Sequence, residues 1–387
     1  MEQIRPRCPF ACRLGRRAAS FLLEGYATAK SSGACPVGVP GRGVSGMGDD
    51  CKREATGAVA GVAAAALRAY DLADADARLI RHNENGTFAI NDRRNGRRLL
   101  LRVHEPVSAN LRGIQHTFEG LSGEMEILRA CSAGTGLLLQ QPVANLAGRL
   151  ITTANDPSSG LSALCTLLTW VDGWQIDQTD VAGEAGQVQA IGRLAWALHA
   201  WSRRWQPTAQ LVRPVYDPAK YRHLVDRIEI GLSAGLLTAT DLAVIGNTMD
   251  AVAGLMAQQP PTPLTWGLIH ADLKPDNVIF TNDGPVPIDF CFAGFGYYLF
   301  DVGGTLPSLK PPLRRPYVEG YQSAAGREFT RAEWRLIDAC FVLSILGGIG
   351  FSISNPATHE WIGRRMPDWC ARYFVPFAHG HPVALAE

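Results

Sequence analysis

The chain has 387 residues, 47% of them hydrophobic, with 37 Lys and Arg against 36 Asp and Glu for a net charge of +1. That is enough apolar material for two lobes with cores of their own. The even balance of charge gives no electrostatic reason to expect nucleic acid or an anionic membrane as partner, which leaves a small molecule as the expected ligand.

Residues 1–66 are rich in Gly, Ser, Ala, Pro and Arg and hold no sustained period of 2 or 3.6 residues, so a disordered extension is expected there. Its first residues are basic (Arg5, Arg7, Arg13, Arg16, Arg17), but the apolar piece after them, Ala18 to Leu23, is too brief for a signal-peptide core. Nine cysteines form no regular framework, and Cys8-x3-Cys12 lacks a second Cys or His pair at zinc-ligand spacing. A reducing, cytoplasmic setting is expected.

A sheet region begins near Ala77. Ala77 to His82, Gly86 to Asn91 and Arg98 to His104 read as strands, the last two joined by the turn Asn91-Asp92-Arg93-Arg94-Asn95-Gly96. Ile114, Phe118, Leu121, Met125 and Leu128 recur at helical spacing on one face of a long helix that carries Glu124 beside the stripe. Further strands end with Ser162 to Trp170. Beyond Gly173 the period becomes helical, with stripes Val188, Ile191, Leu194, Leu198, Trp201 and then Leu242, Ile245, Met249, Val252, Leu255. Three short extended pieces interrupt the helices: Leu264 to His270, Asn277 to Thr281 and Val286 to Phe290. The apolar run from Phe341 to Ile353 is broken by Ser and Gly and falls short of the roughly 20 residues of a membrane span.

Chemistry concentrates in His270-Ala271-Asp272-Leu273-Lys274-Pro275-Asp276-Asn277 and in Asp289, which follows Asn277 by twelve residues in Val286-Pro287-Ile288-Asp289-Phe290. A tight polar turn also collects His, Asp and Asn. The order of strand, loop, Asn at the fifth position after Asp, strand, hairpin turn, strand and Asp is far more particular. It resembles the H-x-D-x-x-x-x-N loop and metal-binding Asp of the protein-kinase-like superfamily. The fragments IHADLKPDNVIF and PIDFCFAGFGYYLFDVG are most similar to the aminoglycoside phosphotransferase, choline kinase and type II homoserine kinase group.

That resemblance implies an α+β, bilobal protein-kinase-like fold. Residues 67–173 would form a small lobe of antiparallel sheet and one long helix, with a hinge at 169–173, and residues 174–387 a larger, mainly helical lobe. It implies ATP and Mg2+ as cofactors and a small-molecule hydroxyl as acceptor, in a monomer or homodimer. Asp272 would orient the acceptor hydroxyl, while Asn277 and Asp289 supply hard oxygens to magnesium. His270 would brace the loop. Asn85, in the turn Asn83 to Phe88, would cover the phosphates; Thr169 and Val171 would read adenine through their backbones; Asp301 would brace the catalytic loop from a helix start.

Two positions depart from the family pattern. Arg102, in Leu99-Leu100-Leu101-Arg102-Val103-His104, stands where the family carries a lysine paired with a helix glutamate, here Glu124. Lys274 stands two residues after Asp272, as in protein serine/threonine kinases, and is either turned inward to the transferred phosphate or a solvated loop lysine. Three readings therefore stand: a small-molecule kinase, a protein serine/threonine kinase of the bacterial stress-response type, or a nucleotide-binding scaffold without turnover. The helical lobe does not choose among acceptors. Its acids are scattered, and Trp174, Trp201, Trp205, Tyr216, Tyr221, Trp361 and Trp369 fit either an aromatic cage or ordinary packing.

Overall fold

The computed structural model describes residues 47–106 and 111–386. The described residues open on a helix, α1 (Met47–Arg68), followed by three antiparallel strands, β1 (Asp76–His82), β2 (Gly86–Asn91) and β3 (Arg98–Val103). Helix α2 (Phe118–Thr135) and strands β4 (Pro142–Val143), β5 (Ile151–Asn155) and β6 (Ser162–Thr169) complete the small lobe. The six strands form one sheet in the order β1-β2-β3-β6-β4, with β5 also on β6.

Alternation along β3 explains how the sheet is used. Leu99, Leu101 and Val103 point to one face, where Val59, Val62, Ala63, Ala66 and Leu67 of α1 pack against them together with Phe88, Ile90, Cys165 and Leu167. Arg102 points to the other face, toward Glu124 of α2. Only the first residue of the strand, Arg98, is exposed.

Helix α1 corrects the expectation that residues up to 66 lack regular structure, and it gives the small lobe a second long helix. The run Thr56 to Leu67 consists mostly of Ala, Gly and Val. Its buried positions 59, 62, 63 and 66 do follow helical spacing, but small apolar residues on the opposite side remove the contrast that makes such a stripe visible. The expectation for residues 1–46 lies outside the described residues.

The large lobe begins with α3 (Val181–Ser202) and continues through α4 (Leu224–Ser233) and α5 (Ala239–Ala257). Four short strands follow: β7 (Trp266–Ile269), β8 (Val278–Thr281), β9 (Gly284–Pro287) and β10 (Gly294–Tyr297). They pair as two antiparallel ribbons, β7 with β10 and β8 with β9. Helices α6 (Tyr298–Thr305), α7 (Pro311–Ala325), α8 (Arg331–Ser352) and α9 (His359–Trp369) close the lobe. Helix α8 has 22 residues and by length and composition could cross a membrane, longer than the apolar run in the sequence suggested. Leu336, Ile337, Phe341, Val342, Leu346 and Ile349 bury it in the lobe's core.

Between the lobes, Gly173 lies where a Cβ would meet the Phe280 carbonyl at 2.1 Å, so the linker can approach β8 only as glycine. Trp174 and Phe280 exchange backbone hydrogen bonds at 3.0 and 2.8 Å beside it. The β8–β9 ribbon is thereby tied to the linker between β6 and α3.

Candidate active site

The loop after β7 is bent by its own sequence neighbours. Ala271 adopts φ 66°, a left-handed conformation that costs a non-glycine residue about 1–2 kcal/mol. Asp301, in the first turn of α6, offsets that strain: its carboxylate accepts the His270 N–H at 2.8 Å and the Ala271 N–H at 2.7 Å. Burial raises the pKa of Asp301, but the hydrogen bond and charge of His199 and the loop's N–H groups outweigh it, so the net shift is downward. His199 reaches Asp301 Oδ2 through Nε2 at 3.0 Å, and its Nδ1 lies 3.0 Å from the Tyr321 hydroxyl. The Tyr317 hydroxyl donates to the Asp301 carbonyl at 3.1 Å.

His270 is a brace. Its Nε2 donates to the Ile288 carbonyl at 3.1 Å, which leaves Nδ1 to accept the Asp272 N–H at 3.3 Å. The ring thus spans the catalytic loop and the residue before Asp289 and is not free to touch a substrate. The same network fixes Asn277, whose Nδ2 donates to Asp272 Oδ2 at 2.7 Å and to the Asp272 carbonyl at 2.9 Å. With both amide protons spent on Asp272, its remaining polar atom is the oxygen, the atom a cation needs.

Lys274 turns inward, with Nζ 3.1 Å from Asp272 Oδ2. Burial raises the pKa of Asp272 and the Lys274 charge opposes it, with a net shift upward. Asp289 lies just past β9, not within a strand as the sequence suggested. It takes φ 63° and ψ 65° and opens the 3-10 turn Phe290–Phe292. The strand stops because this left-handed residue turns the chain, a conformation aspartate tolerates better than most side chains.

Arg102 on β3 forms a buried ion pair with Glu124 on α2 and also reaches Asp289 Oδ1 at 3.5 Å. Burial raises the Asp289 pKa, but Arg102 leads the opposing effects and the net shift is downward. Asp289 therefore stays ionised. Arg102 Nε and Glu124 Oε2 are buried without a partner, which leaves polar capacity beside Asp289.

The remaining expected residues divide. Asn85 is anchored, its Oδ1 2.9 Å from His104 Nδ1, while His104 Nε2 lies 2.9 Å from Thr166 Oγ1. His116 Nε2 donates to the Glu84 carbonyl at 2.8 Å, so the β1–β2 turn is held from beneath by two histidines. The Thr169 N–H donates to the Gln141 carbonyl at 2.9 Å, and its own carbonyl accepts Gln140 Nε2 at 3.2 Å. Both peptide groups of Thr169 are thus already engaged within the protein. The aromatic residues do not form one cage. Trp174 stacks on Phe280, Trp201 on Trp205, Tyr216 and Tyr221 on Phe300, and Trp361 meets Trp369 edge-on.

His199 and Arg213 belong to the framework of this site without any motif to mark them. The one signal for His199 was a histidine directly after Leu198 within an apolar helical stripe, a place where a buried ring needs polar partners. Arg213 stands outside any periodic element and gave no signal.

The donor set fits magnesium bound together with phosphate. Among the described residues no three His, Cys, Asp or Glu side chains form a cage that could hold a metal by itself. One amide oxygen and one ionised carboxylate instead suit a cation that takes its other ligands from phosphates and water.

Comparison with known proteins agrees with this layout. The model of the family described as "Phosphotransferase enzyme family" matches residues 76–337. The chain is 32% identical to a homoserine kinase of Rhodospirillum rubrum over 165 residues, 42% of this chain and 45% of that protein. It spans about half the length of the curated relatives it matches. Among solved structures, a microcompartment-associated aminopropanol kinase superposes with a TM-score of 0.69 at 23% identity, covering 84% of this chain and 99% of that one. An amicoumacin kinase in complex with AMP-PNP and Ca2+ does so with 0.62 at 16% identity, covering 86% and 96%. At such identities these likenesses establish the bilobal kinase-like fold.

Proposed function

The chain belongs to the phosphotransferase enzyme family, and from that premise we propose that it transfers the γ-phosphoryl group of ATP to a hydroxyl of a small molecule. The observation that carries this reading is the Asp272–Asn277 pair, closed at 2.7 Å on a loop strained into place by Asp301 and set beside Asp289. Asn277 and Asp289 would hold Mg2+, which when bound neutralises phosphate charge. Asp272 accepts the hydroxyl proton and aligns its oxygen for attack. Lys274, already at the Asp272 carboxylate, is placed to meet charge on the group in transfer. Arg102 takes the place of the family's lysine. Its planar fork reaches Glu124 and Asp289 together, which a lysine's single ammonium would do less well.

Homoserine and aminopropanol, named for two of the similar kinases, are both amino alcohols, and they set the first acceptors to try. The inward Lys274 favours a second reading, a protein serine/threonine kinase. ATP labelled in its γ-phosphate, given with cell lysate, separates the two. Label is expected in the small-molecule fraction and to depend on Asp272; label confined to protein overturns the first reading.

The pH profile gives a further test. Asp272 must be ionised to act, and its pKa is raised, so kcat/KM falls on acidification at a higher pH than a solvent-exposed aspartate would set. Lys274→Met removes the opposing charge and is expected to move that acid limb higher still. A limb that stays in place or moves down in the variant contradicts the pairing.

A further inference from the structure

Asp289 reaches its place through a turn whose carbonyls all point to one short segment of the large lobe. Arg213 is 5% exposed. Its guanidinium donates to the carbonyls of Phe290 at 2.9 Å, Cys291 at 2.6 Å and Ala293 at 2.6 Å. The Tyr216 hydroxyl takes the one between, Phe292, at 2.7 Å. The Tyr216 N–H donates to the Phe295 carbonyl at 2.7 Å, and the Phe295 N–H to that of Pro214 at 2.8 Å. Every carbonyl from 290 to 293 is therefore held from residues 213–216.

The fourth acceptor of Arg213 lies elsewhere. Its Nη1 donates at 2.8 Å to the carbonyl of Gly120, one helical turn before Glu124 on α2. The contact is close: a Cβ on Gly123 would come within 2.8 Å of the Val212 carbonyl and 2.9 Å of Arg213 Cδ. All four partners of this buried cation are neutral carbonyls, an expensive arrangement for burial alone, since an apolar side chain would fill the space without desolvating a charge.

We propose that Arg213 is a positioning residue that fixes the metal-binding aspartate and the Glu124 helix as one unit. Arg102 joins Asp289 to Glu124 through side chains, and Arg213 joins the same two elements through their main chains. Two independent ties set the separation of Asp289 from Glu124 and so the geometry offered to a metal-bound nucleotide. The role rests on the phosphotransfer reading above and adds to it a residue that touches neither nucleotide nor acceptor.

The test is calorimetric binding of AMP-PNP across a Mg2+ titration, with melting temperature measured alongside. Arg213→Lys keeps the charge and loses the fork. It is expected to raise the half-saturating Mg2+ concentration by about 10–100-fold, as loss of an outer-shell partner does. Gly123→Ala pushes the helix from the clamp while favouring helix formation, and is expected to shift Mg2+ dependence in the same direction by a smaller factor; it carries the test if Arg213→Lys does not fold. A lower melting temperature with unchanged Mg2+ dependence in the folded variants assigns Arg213 to stability alone and overturns the proposal. Failure of the unsubstituted protein to bind AMP-PNP with Mg2+ defeats the phosphotransfer reading along with it, an outcome distinct from normal binding that the variants leave unaltered.

Discussion

Asp272→Asn is expected to lower kcat by about a thousandfold or more, the scale of a lost general base, while ATP–Mg2+ affinity stays within about threefold. The substitution preserves the loop. An amide at position 272 still offers an oxygen to Asn277 Nδ2, and the bonds from Asp301 to His270 and Ala271 do not involve it. What it removes is the capacity to take a proton and to carry the charge that faces Lys274. Steady-state turnover and nucleotide binding, measured on one preparation, separate the two effects. A variant with undiminished turnover excludes Asp272 as the base, and one that loses nucleotide binding shows the loop to have collapsed.

Asp289→Ala is expected to abolish the dependence of nucleotide binding on Mg2+ in the accessible range, a loss on the order of a hundredfold or more in metal affinity. Position 289 requires a left-handed backbone, which alanine adopts at a cost of about 1–2 kcal/mol. Asp289→Asn is the companion variant because asparagine accepts that conformation and keeps an oxygen at lower charge. It is expected to weaken Mg2+ dependence by less than alanine does. Equal Mg2+ dependence in all three proteins, read by calorimetry with AMP-PNP, removes Asp289 from the metal site.

The parts legible in sequence were those whose physics is local. The β2–β3 hairpin announced itself through alternation around an Asn-Gly turn, and its strands fall at Gly86–Asn91 and Arg98–Val103. Helix α3 followed its stripe, with Val188, Ile191, Leu194, Leu198 and Trp201 all buried. The stripe of α2 was misread at one end. Thr117 caps the helix by accepting the Gly120 N–H, so Ile114 belongs to a separate 3-10 turn and Phe118, in the first helical turn, is exposed. The cap is a single side-chain hydrogen bond that periodicity does not register.

The Thr56–Leu67 part of helix α1 was illegible because a stretch made mostly of alanine, glycine and valine has no polar face to contrast with its buried one. The strand β10 was missed for a related reason, since in Gly294-Phe295-Gly296-Tyr297, which pairs with β7, two glycines that disfavour strands offset the β-favouring Phe295 and Tyr297. At the site, Asp272, Asn277 and Asp289 were visible through their spacing. Of the framework that holds them, His270 and Asp301 were expected through the family resemblance, whereas His199 and Arg213 were not. His199 lies 102 residues from its partner Asp301, and Arg213 lies 77 residues from the Phe290 carbonyl and 93 from that of Gly120. Contacts between a side chain and a distant backbone carbonyl leave no pattern in the order of residues, because any residue can supply the carbonyl.

The most direct measurement is phosphorus-31 NMR of the protein incubated with ATP, Mg2+ and an equimolar panel of amino alcohols, aminoglycosides and sugars. A phosphomonoester is expected to accumulate in equal amount to ADP in one of these mixtures, and to be absent when Asp272→Asn replaces the unsubstituted protein. ADP and free phosphate without any ester, or ester formed at the same rate by the Asp272→Asn variant, would contradict the phosphotransfer reading.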